Sequence, residues 1–183
     1  MGNLIENRIL GGVRLSGKLN DNWRLGFLNL QTAADTKNEI ASNNNMMFAL
    51  QRKMFSRSSL GFFAVNRQTF GDYKFMDPAN EYNRVFGIEY NLASADNSLT
   101  GKFYLHKSLQ PDDTKGNYSW QTTITWQPRK FNYILDFQYV DEDFRADLGF
   151  VQRTGVLKNG NGFSYNFYPK SGKVSRHSPG AMA

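Results

Sequence analysis

The residues of this chain that could do chemistry are few and scattered. It contains two histidines, His106 and His177, and no cysteine. His106 has no obvious serine or carboxylate partner in the sequence, and His177 lies near the C-terminal end. The sequence therefore favours neither a catalytic triad nor a histidine metal site. The absence of cysteine excludes thiolate metal sites and a disulfide framework. We expect no enzyme activity, no metal and no cofactor.

The acidic and glycine-rich segments do not match known calcium-binding or nucleotide-binding motifs. Asp112–Asp113 and Asp141–Asp143 could supply oxygen ligands to Ca²⁺, but neither has the spacing of an EF-hand loop. Gly11–Gly12 falls inside a predicted strand and does not form a glycine-rich loop that cradles a nucleotide phosphate. The net charge of +6 comes from 22 basic and 16 acidic residues without a basic run. No nucleic-acid partner is therefore predicted.

The elements that position these residues are predicted to be strands. Aromatic residues make up 15% of the chain and hydrophobic residues 40%, and Phe, Tyr and Trp fit a pleated surface well. No stretch approaches the roughly 18 consecutive apolar residues of a membrane helix. Alternating strands that contact lipid on one side keep a low average hydropathy, so the composition is compatible with a membrane β-barrel.

Polar and apolar residues alternate in eight runs of about ten residues, which predicts strands. The predicted strands are residues 9–19, 23–32, 45–55, 60–69, about 84–92, 99–109, 118–127 and 131–139. The weaker pattern beyond them predicts two more, Phe144–Gln152 and Gly162–Tyr168. The links alternate between short and long, as in outer-membrane barrels with short periplasmic turns and long external loops. The predicted fold class is all-β, an antiparallel up-and-down meander that is part of a transmembrane β-barrel or is itself a small one.

In a membrane barrel one face of each strand lines the lumen and the other contacts lipid. The predicted lumen-lining residues are Arg14, Lys18, Arg84, Glu89, Lys102, His106, Gln121, Thr123 and Asp136. The apolar faces of the seventh and eighth strands begin and end with aromatic residues, as expected for two interfacial girdles. The predicted lipid-facing and girdle residues are Tyr118, Trp120, Trp126, Phe131, Tyr133, Leu135, Phe137 and Tyr139.

The same two-residue period also fits a soluble protein. A lipocalin-like barrel has this period with its apolar face inside. The alternative function is therefore a soluble β-barrel or β-sandwich module that binds a ligand in an apolar cavity, and an outer-membrane enzyme is a more distant alternative. Placement of the apolar face, outside or inside, distinguishes the membrane barrel from the soluble module.

Three segments carry a resemblance to a known family: Ile9–Lys18, Trp23–Thr32 and Asp147–Gly155, of which Gly149–Arg153 is the most specific. They resemble the C-terminal barrel domain, of unknown function, in large envelope proteins whose N-terminal part is similar to a family 9 carbohydrate-binding module. The resemblance implies an outer-membrane location and a longer parent with further strands and an upstream sugar-binding module. The implied partners are outer-membrane lipid, the rest of the parent chain and a glycan ligand. No functional residue is carried over.

The predicted organisation has three parts. Residues 1–8 are a leader or truncation start, residues 9–168 the barrel segment, and residues 169–183 a disordered or foreign tail. The first residues show no basic region followed by an apolar one, so an exported parent needs its signal peptide upstream. We expect that the chain does not close a barrel by itself and that its first and last strands have unpaired edges.

Overall fold

A computed structural model describes residues 7–111, 116–170 and 173–183, which form one antiparallel sheet in simple meander order. The strands are β1 (Ile9–Lys18), β2 (Trp23–Thr32), β3 (Ser42–Met54), β4 (Ser58–Phe70), β5 (Tyr82–Ala93), β6 (Leu99–Leu109), β7 (Tyr118–Trp126), β8 (Phe131–Val140), β9 (Val156–Tyr165) and β10 (Gly180–Met182). The described residues otherwise contain one short 3₁₀ turn, Pro78–Asn80, and no α-helix. The predicted all-β, antiparallel meander is confirmed. In this described part, no helix has the length and apolarity to cross a membrane.

Between β1 and β9, short and long links lie at opposite ends of the sheet. We call one end the turn end, where the links are residues 19–22, 55–57, 94–98 and 127–130. The other is the loop end, where the links are residues 33–41, 71–81, 110–117 and 141–155. Local chemistry closes the turns: Asn20 Oδ1 accepts hydrogen bonds from the amides of Asn22 and Trp23 at 2.9 and 3.0 Å, and Asn97 has a φ of 58°, which asparagine tolerates.

The register between strands determines which side chains share a face, because directly opposed residues of an antiparallel pair point the same way. Trp120 opposes Tyr139, and Ile124 opposes Leu135, on what we call the aromatic face. Thr123 opposes Asp136 on the other side, which we call the loop face. The register runs without a shift from β2 to β9, so both faces are continuous across the sheet.

The chain beyond β8 differs from the sequence prediction. Phe144–Gln152 was predicted to be a strand, and this is wrong: residues 141–155 form one irregular link, which we call the anchored loop. Phe144 is buried there beside Val85 and Val140 on the loop face, and this packing removes the segment from the strand ladder. The next strand, β9, accordingly begins at Val156 and not at Gly162.

The C-terminal segment also carries structure where the sequence predicted a disordered or foreign tail after residue 168. The backbones of Phe167 and His177 exchange two hydrogen bonds, at 2.8 and 3.0 Å. This contact brings Gly180–Met182 against β9 as the three-residue strand β10. The predicted leader lies mostly outside the described residues, since these begin at residue 7.

The sheet does not close. β1 pairs only with β2, and β10 only with β9, which confirms the expected edges for the described residues. β10 covers only Gly162–Ser164 of its neighbour, so much of β9 faces no neighbouring strand on that side in the described structure. Unpaired strand edges are sites where further strands can add.

The turn between β5 and β6 gives the fold a measurable pH dependence. The hydroxyl of Ser94 donates to Asp96 Oδ1 at 2.6 Å, and the amide and hydroxyl of Ser98 donate at 3.1 and 2.9 Å. These hydrogen bonds, led by that of Ser94, favour the carboxylate and lower the pKa of Asp96 from 3.8 to about 2. The charged form is therefore the one that the folded turn stabilises.

We predict that this stabilisation is complete at pH values above 3.8 and is lost as the pH falls through about 2. An NMR titration of the Asp96 side chain measures its pKa directly, and Asp96→Asn should remove this contribution to acid unfolding. Asp21→Asn, in the first turn, is the control and should leave the acid transition in place. An Asp96 midpoint near 3.8 would contradict the prediction.

Candidate functional site

Eight of the nine predicted lumen-lining side chains share the loop face. The register places together Arg14, Lys18, Glu89, Lys102, His106, Gln121, Thr123 and Asp136. They come from five strands, and the odd or even position of each residue selects the face. The loop face is therefore the candidate site, and whether it lines a lumen stays a prediction.

Arg84 is the exception, and its predicted placement with Glu89 is wrong. The two residues are five positions apart in a strand without a bulge, so they point to opposite faces. Arg84 lies on the aromatic face, where its guanidinium donates to Asn66 Oδ1 at 3.0 Å and Gln68 Oε1 at 3.1 Å. It also stacks over the ring of Tyr82 at 4.4 Å.

The predicted lipid-facing residues share the aromatic face: Tyr118, Trp120, Trp126, Phe131, Tyr133, Leu135, Phe137 and Tyr139. Aromatic pairs lie at both ends of this face. Trp120 and Tyr139 stack toward the loop end with ring centroids 6.2 Å apart. Trp126 and Phe131 meet edge to face at the turn end, 4.5 Å apart. Contact of these rings with lipid remains a prediction.

Asp136 organises the polar groups of β7, β8 and β9. Its Oδ1 accepts hydrogen bonds from Thr123 Oγ1 at 2.7 Å and Gln121 Nε2 at 2.8 Å. Its Oδ2 lies 3.6 Å from Lys158 Nζ. This carboxylate therefore has three partners, and it is suited to holding polar side chains in place on the loop face.

A second group joins β5 and β6. Glu89 Oε1 lies 3.3 Å from His106 Nε2, and Glu89 Oε2 lies 3.8 Å from Lys102 Nζ. The His106 ring stacks on Tyr104 at 4.3 Å and meets Phe63 edge to face at 4.9 Å. The expectation that His106 lacks a carboxylate partner is therefore wrong, because the register brings together two residues that are distant in sequence.

The register also places Ser119 directly opposite His106. A carboxylate, an imidazole and a hydroxyl thus occupy neighbouring strands, the residue types of a nucleophilic triad. However, no hydrogen bond joins Ser119 to His106 in the part of the chain that the structure describes, so the hydroxyl is not activated there. This arrangement gives no support for catalysis.

The strongest polar contacts hold the anchored loop against the sheet. Asp147 Oδ2 lies 2.6 Å from Arg67 Nε, and Asp147 Oδ1 lies 2.5 Å from Arg145 Nε. Arg145 also donates from Nη2 to Asn80 Oδ1 at 2.6 Å. One carboxylate from the loop thus joins an arginine of β4 to an arginine of the loop, a charge-assisted arrangement that resists displacement.

Two buried side chains of the sheet bind the backbone of the loop. Asn83, 2% exposed, donates from Nδ2 to the carbonyl of Arg145 at 3.1 Å and accepts from the amide of Asp147 at 3.0 Å. Ser108, fully buried, donates to the same carbonyl at 2.6 Å. Buried backbone groups need such partners. Sequence alone does not indicate these two residues, because their partners lie in a distant loop.

Apolar contacts complete the attachment. Phe144 packs with Val85 and Val140, while Val65 and Ala146 lie at the margin of this cluster. Beside it, the loop and the β2–β5 part of the loop face border a cleft of about 490 Å³. Apolar side chains on this face and loop that border the cleft include Leu28, Met47, Phe63, Val65, Val85, Phe144, Leu148 and Val151.

Asp141, at the acidic start of the anchored loop, accepts hydrogen bonds from within the chain. The amide of Asp143 donates to Asp141 Oδ1 at 3.1 Å, and the hydroxyl of Tyr139 donates to Asp141 Oδ2 at 3.0 Å. These hydrogen bonds, that of Asp143 first, lower the pKa of Asp141. Across the described ranges, no three His, Asp or Glu side chains gather closely enough to hold a metal ion. The other acidic candidate, Asp112–Asp113, lies outside the described residues.

Comparison with known proteins adds no function to this geometry. No protein-family model, no curated protein and no solved structure matches the chain. The function must therefore be argued from the two faces of the sheet and from the anchored loop.

We predict that Asp147→Ala detaches the anchored loop and lowers the free energy of unfolding by about 1 to 3 kcal/mol, because it leaves Arg67 and Arg145 without their carboxylate. The readout is amide hydrogen exchange, which should accelerate in residues 144–151 more than in β4 or β5. Asp143→Ala is the matched control, since its exposed side chain belongs to the same loop; its effect should stay within about 0.5 kcal/mol. Equal effects of the two variants would refute the anchoring role.

Proposed function

We propose that this chain is a membrane-embedded β-barrel segment of an outer-membrane protein, with the aromatic face toward lipid and the loop face toward the lumen. It anchors, or provides a passage for, a surface protein that handles glycans. The two faces, the strand lengths and the order of the links support this proposal.

The observation that carries the proposal is the exposure of large apolar side chains on one face of the sheet. Large apolar side chains are exposed there on seven of the strands: Val13, Leu15, Leu60, Phe62, Phe86, Ile88, Leu105, Tyr118, Trp126, Tyr133, Leu157 and Phe163. Soluble monomers rarely expose so continuous an apolar surface. Lipid chains are the surroundings in which such a face is stable.

Strand length and link order fit the same proposal. β1 to β9 contain 9 to 13 residues each, and a tilted strand needs about 9 to 11 to cross the hydrocarbon. From β1 to β9, short turns at one end and longer loops at the other match periplasmic and external connections. The anchored loop then bends from the external end over the loop face, where it would narrow a passage.

The glycan part of the proposal rests on the sequence resemblance. The segment Asp147–Gly155, which carries part of that resemblance, lies within the anchored loop and includes the carboxylate that binds Arg67. A parent with a sugar-binding module would use this sheet as its membrane anchor. Outer-membrane lipid, the other strands of the parent and its N-terminal module are the proposed partners.

A soluble binding module is the second candidate, and the cleft of about 490 Å³ favours it. Pockets of this volume with mostly apolar walls bind small ligands. In that case the aromatic face would have to be covered by protein instead of lipid. The two candidates differ in what the aromatic face contacts.

We predict that Leu135→Arg costs about 2 to 4 kcal/mol in a lipid bilayer, because it places a charge at mid-membrane, whereas Thr123→Arg costs much less. The pair is matched: the two residues lie on adjacent strands and opposite faces, and Thr123 lies beside Asp136, which can accept an arginine. Urea unfolding of the chain refolded into vesicles measures both effects.

The outcome separates the two candidates. Equal costs, or a larger cost for Thr123→Arg, would contradict the proposed orientation. A folded, monodisperse chain in buffer without detergent would favour the soluble module.

A further inference from the structure

Four basic side chains gather around one pocket at the turn end of the sheet. The pocket has a volume of about 310 Å³, and its basic lining residues are Lys18, Arg24, Lys53 and Arg57. Lys18 and Arg24 are direct cross-strand partners, and Arg24 opposes Gln51, two residues before Lys53. The ladder therefore holds Lys18, Arg24 and Lys53 on the loop face, and Arg57 follows in the next turn.

These charges lack the carboxylate partners that four other basic residues have. Arg67, Arg145, Lys102 and Lys158 each lie within 4 Å of a carboxylate. Among the described residues, none of the four basic residues of the pocket forms an ion pair, and Asp21 is the single carboxylate in its lining. Like charges on directly opposed residues destabilise a sheet, so a bound anion would relieve a repulsion that the fold itself creates.

The neighbouring polar groups are fixed in position. Ser58, 2% exposed, accepts from the amide of Ala93 at 3.1 Å. Gln51 Nε2 donates to Ser59 Oγ at 3.2 Å, and Arg57 Nη1 donates to the carbonyl of Ala95 at 3.4 Å, which leaves its other N–H groups for a ligand. The Ser58 hydroxyl also donates to the carbonyl of Ala93 at 3.4 Å, so the pocket combines the Ser59 hydroxyl and the Gln51 amide with arginine forks, which suit phosphate oxygens.

We propose that this pocket binds a phosphate group, with Arg24 as a bidentate donor and Lys18 and Lys53 as point charges. A phosphate group with two negative charges can pair with several cations at once, whereas a single carboxylate has one charge. The proposal stands on the pocket alone and does not need a membrane. In the proposed barrel, the site would lie at the mouth formed by the short turns. The phosphate could belong to a soluble molecule or to a lipid headgroup.

Isothermal titration with inorganic pyrophosphate tests the site on the full chain, refolded in non-ionic maltoside micelles at low salt. We expect saturable binding, and a loss of at least tenfold in affinity for the triple variant K18Q/R24Q/K53Q. The matched control R14Q/K102Q/K158Q removes the same numbers of arginines and lysines from the same face and should bind within twofold of the parent. Circular dichroism confirms that both variants fold, and K53Q alone should lose two- to fivefold.

Two further arms identify the source and class of the anion. Phosphatidylglycerol added to the micelles tests a headgroup, and binding that K18Q/R24Q/K53Q abolishes would assign the phosphate to lipid. Citrate tests carboxylates; affinity for citrate equal to that for pyrophosphate would overturn the phosphate assignment. Binding of neither phosphate compound, or equal losses in the two triple variants, would overturn the site itself.

Discussion

A hydrogen-bonded ladder with a side-chain period of two, free of register shifts from β2 to β9, is the constraint on which the rest of this structure depends. A slip of one residue between any two strands would exchange their faces. No slip occurs between β2 and β9. The contact of Trp120 with Tyr139 and the hydrogen bond of Thr123 to Asp136 are therefore two results of one register. That register determines the position of every polar group on the loop face.

The anchored loop is the clearest product of this alignment. Arg67 on β4 opposes Asn83 on β5, and Ser108 on β6 opposes Val85, two residues after Asn83. Three neighbouring strands therefore present hydrogen-bond donors at the loop end. Together they bind the carbonyl of Arg145 and the carboxylate of Asp147. A segment whose backbone groups find side-chain partners on a sheet needs no strand partner. The loop consequently lies against the sheet as irregular chain.

Features that depend on residues close in sequence could be predicted, whereas contacts between residues distant in sequence could not. Strands such as β7 and β8 were predictable because alternation is local and strong in them, and the two faces follow from it. Arg84 lies an odd number of positions from Glu89, so the same two-residue period places it on the opposite face from Glu89. The anchored loop was not predictable, since its attachment joins Arg67 and Asp147, 80 residues apart. The contact of Glu89 with His106 was missed for the same reason: the partners meet only after the strands pair.

In the proposed barrel wall, the outer edge of β1 has backbone groups that need hydrogen-bond partners. In hydrocarbon, each unsatisfied backbone group costs several kcal/mol, so a wall that crosses a membrane needs a strand along this edge. Alternation on β1 defines that neighbour: apolar residues beside Val13 and Leu15, and acidic residues beside Arg14 and Lys18. Electrostatics therefore favour a neighbour of β1 that carries acidic residues on the loop face.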